Sequence, residues 1–317
     1  MGFSDKRGQR TLKRRVSLSG VGVHSGKPVG VTLAPADPNS GITFVRTDVP
    51  DTEIVASHAS LGATELCTVL GDPQGVCVAT VEHLLAAFIG LGIDNAIVEI
   101  DGAEVPVMDG SAGRFVEAID AAGVVVQRQT RRFLKIRKPV RVELGAAYAE
   151  FRPYDGCRFE VGIAFDCPVI GTQAIGVELT PKNFRRGIAR ARTFGHMRDV
   201  ERLWAAGYAL GSSLENSVVI GEDGVINPEG LRFPDEFVRH KVLDAIGDLA
   251  LAGAPLRGLY RSFRGGHKLN AMALSALLAD PDAWMMVPAP VDRRKRAESR
   301  AELLSGLLAP AFAPKAA

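Results

Sequence analysis

Cysteine and histidine are scarce in this chain, with four of the first and six of the second among 317 residues. Cys67, Cys77, Cys157 and Cys167 form no CxxC pair and no zinc-finger spacing, which excludes a thiol-based metal knuckle and fits a reduced, cytoplasmic protein. Neither sign of charge prevails: 38 Lys and Arg stand against 36 Asp and Glu, so a general nucleic-acid binder is excluded. No apolar run approaches the roughly 20 residues of a membrane-spanning helix. Membrane contact is therefore expected to be peripheral at most. The N-terminal region is basic through Lys6, Arg7, Arg10, Lys13, Arg14 and Arg15 but lacks the apolar segment of a signal peptide. A phosphate-binding loop is missing too. The stretch Gly20-Val21-Gly22-Val23-His24-Ser25-Gly26-Lys27 would need glycine at position 21 and Ser or Thr at 28, where Val21 and Pro28 stand. Ser25 likewise breaks the dinucleotide fingerprint, and the stretch reads as a tight turn between two strands.

Against this background two fragments stand out, Thr80-Val81-Glu82-His83 and His240-Lys241-Val242-Leu243-Asp244. A catalytic zinc usually takes three protein ligands and keeps a fourth position for water. His83, His240 and Asp244 would fill that quota, and Glu82 beside the first histidine is a candidate base. A set of two histidines and one carboxylate also suits iron. Residues 76–80 are short, apolar and β-branched, and 81–89 are good helix formers ending at Gly90 and Gly92, which predicts a strand running into a helix. Thr80 is then the expected N-cap, with Glu82 and His83 in the first turn.

Apolar residues recur at helical spacing over 237–251, so His240, Asp244 and Asp248 share one helical face. Such an i, i+4 pair also suits a solvated surface contact. Phe237, Leu243, Ile246 and Leu249 argue that the helix packs into a core, where two acids and a histidine are costly unless they line a site. A further histidine stands in Arg264-Gly265-Gly266-His267-Lys268-Leu269-Asn270, a glycine-rich turn leading into an apolar helical run over 271–278. That place suits a general acid, and equally a capping or solvent-exposed histidine.

These residues carry a resemblance to the UDP-3-O-acyl-N-acetylglucosamine deacetylase family, the zinc amidases at the committed step of lipid A biosynthesis. The matching stretches are Arg10-Thr11-Leu12-Lys13-Arg14, 20–27, 80–95, Val107-Met108-Asp109-Gly110-Ser111-Ala112, Ala191-Arg192-Thr193-Phe194-Gly195, 231–249 and 266–270, in the family's order. The resemblance implies Zn²⁺ held by His83, His240 and Asp244, Glu82 as general base, and His267 as the second acid/base group paired with Asp248. It also implies Thr193 as an oxyanion-side hydroxyl, and Phe194 and Lys241 as substrate contacts. Cys67 matches a cysteine near the site that is not a required ligand, while Glu65 stands where an apolar residue is expected. The implied substrate is UDP-3-O-acyl-N-acetylglucosamine.

The implied fold class is α+β, with two similar domains, each a β-sheet packed with helices, and the active site between them. The boundaries expected are 1–127 for the domain with Glu82 and His83, and 133–300 for the domain with His240, Asp244 and His267. The polar run 127–132 is the expected linker. Comparable strand-turn-strand patterns at 32–45 and 150–161 hint at a duplicated unit. The resemblance places an apolar acyl passage at about 163–191, with Ile163, Phe165, Val169, Ile170, Ile175 and Phe184, and Arg185, Arg186, Arg190 and Arg192 are candidates to meet the diphosphate. Residues 301–317 are small, apolar and proline-broken, which predicts a disordered tail, and the resemblance adds a membrane protease that recognises it. Two rival functions fit the same residues: hydrolysis of another N-acylated nucleotide sugar, and a non-catalytic sugar-nucleotide sensor. The sensor has no need of a base, an acid and an orienting carboxylate together.

Overall fold

The computed structural model describes residues 7–290; the expectations for the tail at 301–317 and for the last ten residues of the second domain lie outside them. In chain order the first part runs β1 (Gly8–Leu12), β2 (Val16–Val21), β3 (Pro28–Ala34), β4 (Ile42–Arg46), β5 (Thr52–Val55), β6 (Leu70–Gly71), β7 (Cys77–Val78), α1 (Glu82–Leu91), β8 (Ala96–Ile100) and α2 (Gly113–Ala122). Next come β9 (Val124–Thr130), β10 (Arg132–Ile136), β11 (Val140–Leu144), β12 (Ala147–Arg152), β13 (Cys157–Ala164), β14 (Thr172–Glu178), α3 (Pro181–Gly187), β15 (Phe194–His196), α4 (Val200–Ala205) and β16 (Val218–Ile220). The last elements are α5 (Glu236–Leu249), β17 (Leu256–Phe263), α6 (His267–Ala279) and β18 (Trp284–Pro288). The architecture is α+β.

One pairing pattern occurs twice. In the first sheet β8 lies between β3, antiparallel to it, and β4, parallel to it, with β2 and β5 outside. In the second, β17 lies between antiparallel β12 and parallel β13, with β11 and β14 outside. The strand-turn-strand segments noted in the sequence are thus β3–β4 and β12–β13, and in neither do the two strands pair with each other. A parallel pair needs a crossover, and α1 and α5 lead into the central strands β8 and β17. The second sheet is extended by β10 and β18.

The expected linker is not a loop. Residues 127–130 continue β9, which pairs with β1, and β10 begins at Arg132. Strand pairing with a partner more than a hundred residues away outweighs the polar composition on which the linker reading rested.

After Glu82 and His83, α1 is apolar on all sides, the mark of a buried helix, and Leu84, Leu85, Ala86, Ala87 and Phe88 are fully buried. Each large side chain so buried is worth about 1.5–3 kcal/mol. α1 packs along α5, and α5 and α6 lie on the second sheet. One apolar cluster runs from Leu33, Phe44 and Val98 of the first sheet through Phe88 and Leu243 to Phe151 and Phe159 of the second. The site therefore lies where two buried helices cross.

Gly247 governs how closely they cross. A Cβ there would stand 2.0 Å from the backbone oxygen of Glu82 and 2.6 Å from its carbonyl carbon. Glycine inside a helix ordinarily costs about 1 kcal/mol relative to alanine, so Gly247→Ala should stabilise if helix propensity decided the matter. The contact is with backbone, which has no rotamer to yield. Gly247→Ala is expected to destabilise by about 1–3 kcal/mol in urea unfolding, and a gain in stability would show that the helices do not touch at this point.

Candidate metal centre and acid/base pair

Glu82 and His83 begin α1, but Thr80 does not cap it. The N-cap is Val81, and Thr80 has φ +57, a rare conformation for a β-branched residue. Its hydroxyl donates to Glu104 at 3.1 Å rather than to the helix. The strand before it is only β7, two residues long. On α5, His240, Asp244 and Asp248 are all buried along one face, at 2%, 2% and 4% exposure. α6 begins at His267 itself, several residues before the apolar run at 271–278.

His83, His240 and Asp244 converge, with ligand atoms all within 4.8 Å of one another. Asp244 Oδ1 lies 3.5 Å from His83 Nε2 and 3.3 Å from His240 Nε2. It is buried without a hydrogen-bond partner. His240 Nδ1 lies 3.1 Å from the carbonyl oxygen of Ala191. With Nδ1–H donating there, Nε2 is left bare. Burial pushes the His240 pKa down to about 3, so this imidazole is neutral. Burial alone would raise the pKa of Asp244, but the Lys241 ammonium holds it well below the usual carboxylate range. Lys241 Nζ donates to Asp244 Oδ2 at 2.8 Å. A bare imidazole nitrogen facing an unpartnered carboxylate oxygen, with a second imidazole 5.0 Å away ring to ring, is a donor set that fits Zn²⁺.

Beside it lies a second cluster. Glu82 is buried and its Oε2 accepts the Thr68 amide at 3.1 Å, leaving Oε1 free, 4.0 Å from His267 Nε2. Burial raises the Glu82 pKa, with His267 and His83 opposing. His267 behaves oppositely: burial would lower its pKa, but Asp248 lifts it to about 10. The imidazole Nδ1 is 2.9 Å from Asp248 Oδ2. Asp248 also accepts from the Thr68 hydroxyl at 2.6 Å and from Asn270 Nδ2 at 2.7 Å, and Asn270 in turn accepts from Tyr260. Sequence reasoning did not find Thr68 or Tyr260 as parts of this network. Asn270 stood in a quoted motif, one turn along α6 from His267, without a role.

A cavity of about 530 Å³ opens onto Glu82, His83, His240, Asp244 and His267. Thr193, Phe194 and Lys241 line it as well. The Phe194 ring packs edge-on against Phe237 at 5.0 Å, and Lys241 Nζ sits 5.5 Å from its centroid. The cavity lining also includes the apolar side chains of Met197, Val200, Leu203, Trp204, Leu214 and Ile226. The segment 163–191 expected to wall this passage does not line it: Ile163, Ile170 and Phe184 are core residues. Alternating strand residues of β13 and β14 carry the same apolar composition as a lipid wall, which is why composition misplaced it. Nor are all the arginines free for a diphosphate. Arg192 is 1% exposed and donates to Glu236 and to Gly230, and Arg185 forms a two-pronged pair with Asp120.

The sequence profile of the family described as UDP-3-O-acyl N-acetylglycosamine deacetylase matches residues 9–279. Proteins named UDP-3-O-acyl-N-acetylglucosamine deacetylase from Brucella ovis and Brucella abortus (strain S19) are each 56% identical over 283 residues, covering 89% of this chain and 99% of the relative. The protein of that name from Brucella melitensis matches to the same extent.

The raised His267 pKa has a sign that can be checked in metal-free protein. A group whose folded pKa lies above its ordinary 6.5 stabilises the fold fully below pH 6.5, and that stabilisation is lost as pH rises through about 10. In Asp248→Asn burial loses its largest counterweight and only Glu82 and Asp244 still oppose it, so NMR titration should find His267 well below about 10 and the basic-side loss of stability should shrink and move to lower pH. An unchanged titration would rule out Asp248 as the cause.

Proposed function

This chain belongs to the UDP-3-O-acyl-N-acetylglucosamine deacetylase family, and from that premise we propose how its own residues divide the reaction. The protein catalyses zinc-dependent hydrolysis of the 2-acetamido group of UDP-3-O-acyl-N-acetylglucosamine, the committed step of lipid A biosynthesis. Acetate and the free amino sugar are the products. The observation that carries this is the convergence of His83, from α1, with His240 and Asp244, from α5, in the lining of a cavity that also bears many apolar side chains.

His83, His240 and Asp244 would hold zinc, and its Lewis acidity would lower the pKa of a water toward neutrality and polarise the amide carbonyl. Glu82 takes the proton of the attacking water at Oε1, the oxygen that Thr68 leaves open. Burial raises its pKa, so a buried carboxylate that would be a feeble base in water is matched to this proton. The water oxygen bonds to the acetyl carbon, and the charge gathering on the carbonyl oxygen is met by the Thr193 hydroxyl. An amine leaves poorly unless protonated. His267, an imidazolium held by Asp248 through Nδ1, gives its Nε2 proton to the nitrogen as the carbon–nitrogen bond breaks. Phe194 and Lys241 shape the sugar end, and Met197, Leu203 and Trp204 receive the acyl chain.

We read the repeated sheet pattern as two similar units, the expected 1–127 extended to the end of β9 at Thr130 and the expected 133–300 starting with β10 at Arg132, with the site between them, Glu82 and His83 coming from one and His240, Asp244 and His267 from the other. Among the described residues no helix is long and apolar enough to cross a membrane. All four cysteines are unpaired, which supports a cytoplasmic location. An acid, a base and an orienting carboxylate in contact favour an enzyme over a sensor.

Glu82→Ala should keep zinc, since no ligand is removed, and lose roughly 10²- to 10⁴-fold in turnover, the usual worth of general acid/base catalysis. Metal content and acetate release measured on one preparation check this, with UDP-N-acetylglucosamine lacking the acyl chain run beside the full substrate. Near-normal turnover would remove Glu82 as the base, and equal rates on both sugars would favour another N-acylated nucleotide sugar.

A further inference from the structure

One buried carboxylate near the site has no part in the chemistry above. Glu104, 5% exposed, lies just beyond β8, and its backbone neighbours are bonded to the strand end before Thr80: Ala79 N–H donates to the carbonyl of Ala103, and Val105 N–H to that of Ala79. No Lys or Arg pairs with it among the described residues. A carboxylate buried in that state is costly unless its oxygens are filled by donors, and here three donors fill them. Oε1 accepts the His24 amide at 2.8 Å and the Thr80 hydroxyl at 3.1 Å, and Oε2 accepts the Ser25 amide at 2.9 Å. Gly22 makes room, since a Cβ there would stand 2.2 Å from Oε2.

Those donors belong to two walls of the cavity. The turn bearing Val23 and His24 is bonded to the loop after α4, through Leu210 N–H to the His24 carbonyl at 3.1 Å and Gly211 N–H to the Val23 carbonyl at 3.0 Å. A Cβ on Gly211 would meet the Gly22 oxygen at 2.2 Å, so the two loops touch along their backbones. That loop carries Ala209 and Ser212, which face the cavity together with Val23 and His24. The other donor, Thr80, is held at positive φ two residues before Glu82.

We propose that Glu104 is a positioning residue that fixes the spacing between the base and the wall of the acyl passage. It does not line the cavity and touches no reacting atom. It acts through Thr80 at one end, setting the entry of the chain into α1, and through the turn at 22–26 at the other, setting the loop after α4. This rests on the deacetylase reading for its substrate. A displacement of about 1 Å at a reacting centre can cost about 10²-fold in rate, so a carboxylate remote from the chemistry can matter through geometry alone.

The test uses Glu104→Gln and Thr80→Val in the zinc-loaded protein. Glutamine keeps the shape but turns an NH₂ group toward one of the three donors, and valine removes only the hydroxyl contact. For Glu104→Gln the expected result is faster amide exchange, by about tenfold or more, at 22–26 and 208–212, with α5 protection and zinc affinity kept. Its kcat should fall about 10- to 100-fold, with KM raised for a long-acyl substrate and unchanged for a short-acyl one. Thr80→Val should lower kcat with no change in KM for either. Amide exchange unchanged at both loops would overturn the proposal whether or not the wild type turns over this substrate. So would a loss spread evenly over α5 and zinc affinity, which marks a general structural role. Absence of wild-type turnover, by contrast, bears on the deacetylase reading, and the exchange data still decide the role of Glu104.

Discussion

The close crossing of α1 and α5 is the constraint on which the rest depends. Two buried helices meet backbone to side at Gly247 and Glu82, and only a residue without Cβ lets them do so. Their contact puts His83, at the second position of α1, against His240 and Asp244 of α5. The apolar lining that drives the helices together, Leu84, Leu85 and Phe88 from one and Leu243 and Ile246 from the other, also strips water from the polar residues at the crossing. Stability and metal binding are thus coupled, since the burial that holds the core is the burial that makes three converging lone-pair donors unfavourable without a cation.

The electrostatics of the crossing follow the same logic. Three buried carboxylates, Glu82, Asp244 and Asp248, face two cations, Lys241 and the imidazolium of His267. The groups are not equivalent. Asp248 accepts from Thr68, Asn270 and His267, Asp244 has one oxygen on Lys241 and one with no donor, and Glu82 keeps Oε1 open. The three carboxylates are therefore suited to different roles, Asp248 to holding an imidazolium, Asp244 to holding a metal and Glu82 to accepting a proton. Neighbouring groups whose environments push their pKa values apart are what an acid/base pair requires.

The metal triad was legible because histidine is scarce and because the i, i+4 pair lies on a helix whose apolar residues pack it into a core, and Glu82 stood beside the first of its histidines. The α5 boundaries and the turn at 20–27 could be read for the same local reasons. What misled was long-range. Thr80 resembles a cap in sequence, yet its hydroxyl is claimed by Glu104, 24 residues on. Thr68 reaches Asp248 across 180 positions, and no local pattern announces such a bond. Residues 127–130 look like a linker by composition and are held as a strand by β1. The acyl wall was sought in the more apolar segment, whereas the residues facing the cavity are spread over 197–226, among charged and polar neighbours. Composition reports burial, but not which cavity a buried residue faces.

Acetate release from UDP-3-O-acyl-N-acetylglucosamine by the purified protein, followed before chelation, after chelation and after zinc is restored, tests the central claim most directly. The account predicts release that disappears on chelation and returns with zinc. Release that persists in verified metal-free protein, or none from folded protein with zinc bound, would contradict it.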